Sequence, residues 1–178
     1  AQCFNQQFFP YNNTERMGNV ASIQELLSQR AQWKFDSLRV VFTNGVFDIL
    51  HRGHVEYLSA AKRLGDILVV GVNSDVSVKK IKGPLRPIVP ESDRAFILSE
   101  LKAVDAVCLF DEETPFNLIS ALVPDILVKG ADYTIENIVG RDVVEKAGGK
   151  VLTLDVVPDR STTNIIEIIT TRFAAEAK

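Results

Sequence analysis

Five short runs of branched aliphatic residues, at 39–43, 67–73, 106–110, 126–129 and 151–154, constrain this chain more than any other feature. They are rich in Val, Ile and Leu and lack polar alternation. A strand with one face in water alternates apolar and polar side chains, so continuous apolar strands belong to a sheet covered on both faces. Between the runs lie stretches of helical periodicity at 53–64, 92–101, 114–122, 141–147 and 161–173, with Thr114-Pro115 reading as an N-cap and first helical residue. Ser22-Ile23-Gln24-Glu25 reads as a capping box opening an earlier amphipathic helix that stops before Leu38. Strand–helix alternation with right-handed crossovers predicts an α/β fold. Its form is a doubly wound parallel sheet of about five strands with helices on both faces, in which ligands bind beyond the carboxyl ends of the strands.

Such a sheet is Rossmann-like, and 178 residues suffice for one domain of it without disulfide or metal staples. Residues 20–178 are expected to form the domain. Residues 1–19, rich in Asn, Gln and aromatics, show no period and are expected to be irregular. The sole methionine is Met17, so residues 1–16 are expected to come from a tag or from upstream sequence. A net charge of −3 gives no basic field to hold a nucleic-acid backbone, which removes nucleic acid as a main partner. Cys3 and Cys108 form no Cys-x-x-Cys pair and no disulfide framework. No apolar run approaches the ~20 residues that span a bilayer, and no basic segment leads into an apolar stretch near the start. A cytoplasmic protein with no membrane partner is expected.

The first core strand runs into Thr43-Asn44-Gly45-Val46-Phe47-Asp48-Ile49-Leu50-His51-Arg52-Gly53-His54, and the only two histidines both fall there, three residues apart. Gly53 between them lets backbone approach a ligand, and the helix starting nearby aims free N–H groups and its positive dipole end into the same space. Imidazoles placed there can donate to phosphate oxygens and stabilise charge growing on a leaving pyrophosphate. A metal shared by the two rings and a purely structural pair remain the competing readings, with phosphate favoured. There is no Gly-x-Gly-x-x-Gly, and Gly149-Lys150 is followed by Val151 rather than Ser or Thr, which argues against dehydrogenase and P-loop readings.

Several further segments carry charge or hydroxyls at strand ends. Lys79, Lys80 and Lys82 precede Gly83, Pro84 and Pro87, a composition expected to form a mobile loop able to close over phosphates. Arg94 lies at a helix start, where a cation is unfavourable unless an anion offsets it. Asp48 could orient a histidine or a magnesium ion, or merely cap the helix. Ser161, Thr162 and Thr163 open the last helix with hydroxyls and free N–H groups suited to a phosphate.

The strand-(T/Y)xGxFDxxHxGH-helix pattern resembles the HxGH signature of the cytidylyltransferase-like nucleotidyltransferases. The likeness continues at GVNSD (71–75), KKIKGPLR (79–86), Arg94, VKGADY (128–133) and STTN (161–164), covering nearly everything from about residue 38 onward. Within that superfamily, TNGVFDILHRGH, VNSDVSVKKIKG, PDILVKGADY and STTNII are most similar to the adenylyltransferase domain of the ADP-heptose synthases. The resemblance implies an enzyme that transfers AMP from ATP to D-glycero-D-manno-heptose 1-phosphate, giving ADP-heptose and pyrophosphate for the lipopolysaccharide inner core.

On that resemblance His51, His54 and Lys82 are the catalytic residues. Thr43, Asn44, Gly45, Val46, Phe47, Asp48, Gly53, Arg94, Lys129, Gly130, Asp132, Ser161, Thr162 and Thr163 bind the nucleotide, and Asn73, Asp75, Lys79 and Arg86 face the sugar phosphate. Mg2+ would arrive with ATP and ride on its phosphates rather than in a protein cage. A homodimer is implied. Because many members join a sugar kinase to this domain and 178 residues cannot hold one, the resemblance implies a stand-alone form, or an excised domain, with a separate heptose kinase. Arg160 abuts Ser161, where related cytidylyltransferases place an Arg several residues earlier, so no role is carried onto it. The alternatives are a cytidylyltransferase acting on glycerol 3-phosphate or another polyol phosphate, and a nucleotide-binding module without turnover.

Overall fold

A computed structural model of the chain describes residues 19–131, 133–155 and 160–173. Five parallel strands, β1 (Val40–Gly45), β2 (Ile67–Asn73), β3 (Ala106–Phe110), β4 (Ile126–Gly130) and β5 (Lys150–Leu154), form one sheet in the order β3-β2-β1-β4-β5. The chain enters at the centre, builds outward to β3, then returns to the other side of β1. That reversal opens a crevice between the carboxyl ends of β1 and β4. All five expected strands are present, with boundaries moved by at most two residues.

Helices cover both faces, as the apolar strands require. On one face Val40 and Phe42 of β1, Val69 of β2 and Leu127 of β4 pack with Leu26 of α1 (Ile23–Phe35), Leu118, Ile119 and Leu122 of α5 (Phe116–Leu122) and Val144 of α6 (Arg141–Lys146). On the other, Val41, Leu68, Val70, Val72 and Val128 pack with Leu58 and Ala61 of α2 (Arg52–Lys62) and Ala95 and Leu98 of α4 (Glu91–Ser99). Burying a Val or Leu side chain contributes about 1.5–3 kcal/mol, so the two layers supply the main stabilisation. The capping box of α1 is complete: Ser22 Oγ accepts from the Glu25 amide at 3.3 Å, and Glu25 Oε2 accepts from the Ser22 amide at 2.8 Å. No helix among the described residues is long and apolar enough to cross a membrane.

Three expectations are corrected. The lysine segment expected as a loop is helical through Lys82: α3 (Asp75–Lys82) is capped by Ser74, carries Asp75 in its first turn and Lys79, Lys80 and Lys82 in its last, and ends at Gly83 with φ 92°. Those signs match the helix dipole, and only residues 83–90, which are not helical, connect α3 to α4. Pro115 itself occupies the N-cap of α5, so that helix starts at Phe116 rather than Thr114. Asn19 does not belong to an irregular segment: its carbonyl accepts from the Val107 amide at 2.8 Å, and Val20 forms a parallel bridge to Val107. This bridge covers part of the outer edge of β3, an edge that would otherwise present unpaired amides. Residues 1–18 and Asp132 lie outside the described residues. The final helix, α7 (Thr162–Phe173), follows β5.

Candidate functional site

The site is assembled where β1 ends. Thr43 is fully buried and its Oγ1 lies 2.8 Å from the Tyr57 hydroxyl on α2, which ties strand to helix. The chain then turns through Phe47, whose φ of 49° is left-handed, and reaches His51 at the N-cap of α2 with no side-chain capping bond. A bulky residue adopts such a φ only when its surroundings hold it there. The Phe47 ring folds back over Gly45, where a Cβ would lie 3.0 Å from Phe47 Cε2.

His51 and His54 stack, with ring centroids 3.9 Å apart and planes at 21°. The Phe47 ring meets His54 edge-on at 5.3 Å and 63°. Gly53 is needed for this stack, because a Cβ there would come within 3.1 Å of the His51 ring and 3.2 Å of Arg160 Cβ. Nδ1 of each imidazole is buried without a hydrogen-bond partner among the described residues. Contact with a ligand is therefore left to Nε2, and a neutral ring protonated there is a donor. Burial, reinforced by the neighbouring His51, pushes His54 down to about 4. Burial and the nearby Arg160 guanidinium lower His51 as well. Both rings are thus uncharged at neutral pH in the free chain, and an arriving polyanion would favour their protonation.

The N-terminus of α7 reaches the same place. Thr162 Oγ1 donates to the Ile49 carbonyl at 3.2 Å, and Ser161 Oγ accepts from the Asn164 amide at 3.1 Å. Two helix N-termini therefore adjoin the histidine loop, an arrangement suited to anions. Across the crevice, Lys129 Nζ donates to the Asn44 carbonyl at 3.3 Å and lies 5.1 Å from the Tyr133 ring centre. The bond spans β1 and β4. Asn44 Oδ1 is buried and unpaired among the described residues.

Other expected site residues are placed differently. Asp48 neither orients a histidine nor holds an open position for magnesium. Its side chain is 1% exposed and accepts from Arg86 Nε at 2.5 Å, from the Ile88 amide at 2.8 Å and from the Val89 amide at 2.8 Å. Burial alone would raise its carboxyl, but the Val89 and Ile88 amides and Arg86 outweigh it and hold Asp48 below the ordinary carboxylate value. Arg86 is thereby held by Asp48 through Nε. Arg94, read as a cation awaiting a phosphate, is buried instead: Nε donates to the Val89 carbonyl at 2.9 Å, Nη1 to the Val46 carbonyl at 2.6 Å and Nη2 to Asp75 Oδ1 at 2.8 Å. Asp75 offsets its charge, which resolves the misfit of a cation in the first half of α4. Asn73 Nδ2 donates to Ser77 Oγ within β2–α3. Lys79 and Lys82 are exposed, and among the described residues neither is bonded to the histidine loop. Gly130 ends β4 and Thr163 is exposed on α7. Glu91, whose Oε2 accepts from the Asp75 amide at 2.6 Å, and Tyr57 were not anticipated, and nothing local in the sequence marks them.

The sequence model of the cytidylyltransferase-like family matches residues 42–171. Bifunctional protein HldE of Syntrophotalea carbinolica is 59% identical over 134 residues, covering 75% of this chain and 27% of its own length. The protein of the same name from Geobacter sulfurreducens is 48% identical over 166 residues, covering 93% of this chain and 34% of its own. The chain thus spans about a third or less of the length of these curated relatives. Among solved structures, the lipopolysaccharide core biosynthesis protein from Thermoplasma volcanium superposes with a TM-score of 0.54 at 35% identity, over 67% of this chain and 97% of that one. Pantothenate synthetase from Thermus thermophilus, at 21% identity and a TM-score of 0.56 over 84% of this chain and 67% of its own, shares the fold. With the stacked histidines at the end of β1 and a family match over most of its length, the chain belongs to the cytidylyltransferase-like family and is a nucleotidyltransferase.

Proposed function

We propose that this domain transfers AMP from ATP to D-glycero-D-manno-heptose 1-phosphate, releasing pyrophosphate and forming ADP-heptose. The observation that carries the reading is the stacked pair His51–His54 at the N-terminus of α2, held by Gly53 and Phe47 with both Nδ1 atoms shut off. The names of the HldE relatives and of the Thermoplasma protein favour this branch of the family over others.

In the proposed reaction an oxygen of the sugar phosphate attacks the α-phosphorus of ATP, and the bond from that phosphorus to the bridging oxygen of the β-phosphate breaks as pyrophosphate leaves. No side-chain nucleophile is needed. The chain's contribution is alignment of two mutually repelling anions and charge stabilisation by donors already in place. His51 and His54 donate through Nε2 to the phosphates, and the N-termini of α2 and α7 add amide donors, with hydroxyls from Ser161 and Thr163; Thr162 contributes its amide, its hydroxyl being given to Ile49. The strand-end residues Thr43, Asn44, Gly45, Val46, Phe47, Lys129 and Gly130 would line the nucleotide, and Asp132, two positions on in the sequence, is proposed to join them. Lys79 and Lys82, exposed on α3, would reach the phosphates or the sugar phosphate, with Lys82 the proposed catalytic cation. Asp48, fully engaged by Arg86, Ile88 and Val89, offers no metal ligand, so Mg2+ supplied with ATP would be held by phosphate oxygens.

The acceptor would be made by a sugar kinase, either a separate protein or the rest of a longer chain, and the active form is proposed to be a homodimer in the cytoplasm. The test is pyrophosphate release from ATP, CTP or GTP with each anomer of heptose 1-phosphate or with glycerol 3-phosphate as acceptor. Release with ATP and a heptose 1-phosphate is expected. Release confined to CTP and glycerol 3-phosphate would move the chain to a different branch. Silence with every pair, despite nucleotide binding, would favour a module without turnover.

A further inference from the structure

We infer that Arg94 is a positioning residue for the histidine pair, acting at a distance by fixing the Val46–Phe47 turn that sets His54. The inference deepens the proposed site, but its first readout needs no turnover.

The chain of contacts is closed. Arg94 Nη1 holds the Val46 carbonyl and Arg94 Nε holds the Val89 carbonyl. The Val89 amide donates to Asp48 Oδ1. Val46, Arg94, Val89 and Asp48 therefore make a ring of hydrogen bonds that passes immediately before and after Phe47. Phe47 lies inside that bracket in left-handed backbone that a phenylalanine does not adopt unaided. Its buried ring touches Gly45 on one side and the edge of His54 on the other. Asp75 completes the arrangement by neutralising Arg94, and the Asp75 amide is held by Glu91 at the start of α4.

A side chain 0% exposed with three acceptors on three different segments is not available to a phosphate. What it controls is the geometry of the loop. A lysine at this position keeps the charge but lacks the planar fork that reaches three acceptors at once. Among the described residues, the charge and rings that act on the two imidazoles are Arg160, the Phe47 ring and each other, while Arg94 meets Val46, Val89 and Asp75. An effect of Arg94→Lys on His54 would therefore travel through position rather than charge.

The experiment follows the imidazole resonances of His51 and His54 by NMR against pH in the wild type, Arg94→Lys and Phe47→Leu, with circular dichroism to establish folding. The wild type should show His54 titrating far below an ordinary histidine. Folded Arg94→Lys should show it moved towards the ordinary value, and Phe47→Leu, which leaves the bracket intact but removes the ring, should move it in the same direction. If pyrophosphate release is present in the wild type, Arg94→Lys should lower kcat about 10–100-fold with a smaller change in KM for ATP. A folded Arg94→Lys whose histidines titrate as in the wild type overturns the inference. Should Arg94→Lys fail to fold, Phe47→Leu and Asp75→Asn decide it, and unmoved histidines in both overturn it. Moved histidines in a protein that releases no pyrophosphate would sink the proposed reaction and leave the positioning role standing.

Discussion

The low affinity of His54 for protons makes the native state lose stability as pH falls. In the unfolded chain His54 takes up a proton near pH 6.5, whereas in the native fold burial and His51 delay this to about 4. Above pH 6.5 both states are neutral there and the residue contributes no pH dependence. Between pH 6.5 and 4 the unfolded chain binds a proton that the native ring refuses, so the native state loses stability across that window. Below pH 4 both are protonated and the deficit stays constant. At about 1.4 kcal/mol per pH unit the full window corresponds to about 3 kcal/mol, which partial exposure of the ring reduces to about 2 kcal/mol. Urea unfolding of the wild type and His54→Asn at pH 7.5, 6.5, 5.5 and 4.5 measures it. The wild type should lose about 1.5 kcal/mol more than the variant between the first and last of these. Carboxylates titrate in both proteins and cancel in the comparison. Parallel stability curves would refute the reasoning, because they would mean the ring is not desolvated.

Other consequences follow from the same geometry. Asp48→Asn leaves Arg86 without its carboxylate and turns an amide NH2 towards the Ile88 or Val89 N–H groups, so urea unfolding at neutral pH should show a loss of about 2–4 kcal/mol. Because Asp48 is held below its ordinary value, its contribution persists above that value and fades only as pH falls through the native one, below the window set by His54. Gly53→Ala brings a Cβ against the His51 ring and Arg160 Cβ, and calorimetric titration should find weakened ATP binding with a Tm within a few degrees of the wild type. Cys108 is buried and burial pushes its thiol up to about 11, so iodoacetamide at pH 8 should label it only after the protein is unfolded, as read by mass spectrometry.

The sheet was legible because its physics is local: a strand buried on both faces must be apolar throughout, and all five such runs became strands. The histidine loop was equally legible, since two rings three residues apart at a helix start have few ways to lie. The lysines at 79–82 were misread as loop because Gly83, Pro84 and Pro87 outweighed a quieter signal, Ser74 and Asp75 at one end of a helix and lysines at the other, which the helix dipole rewards. The partners of Asp48, Arg86 and Arg94 were not legible, for a different reason. Each looks in sequence like a charge facing a ligand, yet their partners lie up to 48 positions away and are largely backbone groups, which carry no sequence mark. A buried arginine is visible only once three acceptors have been brought around it.

The central claim is that the stacked histidines stabilise charge on the phosphates as pyrophosphate leaves. Pyrophosphate release from ATP and heptose 1-phosphate by the wild type and His54→Ala, with ATP affinity measured on the same preparations, tests it most directly. Loss of the His54 ring should lower kcat about 100–1000-fold with ATP affinity changed far less. A His54→Ala protein that turns over within about threefold of the wild type would contradict it.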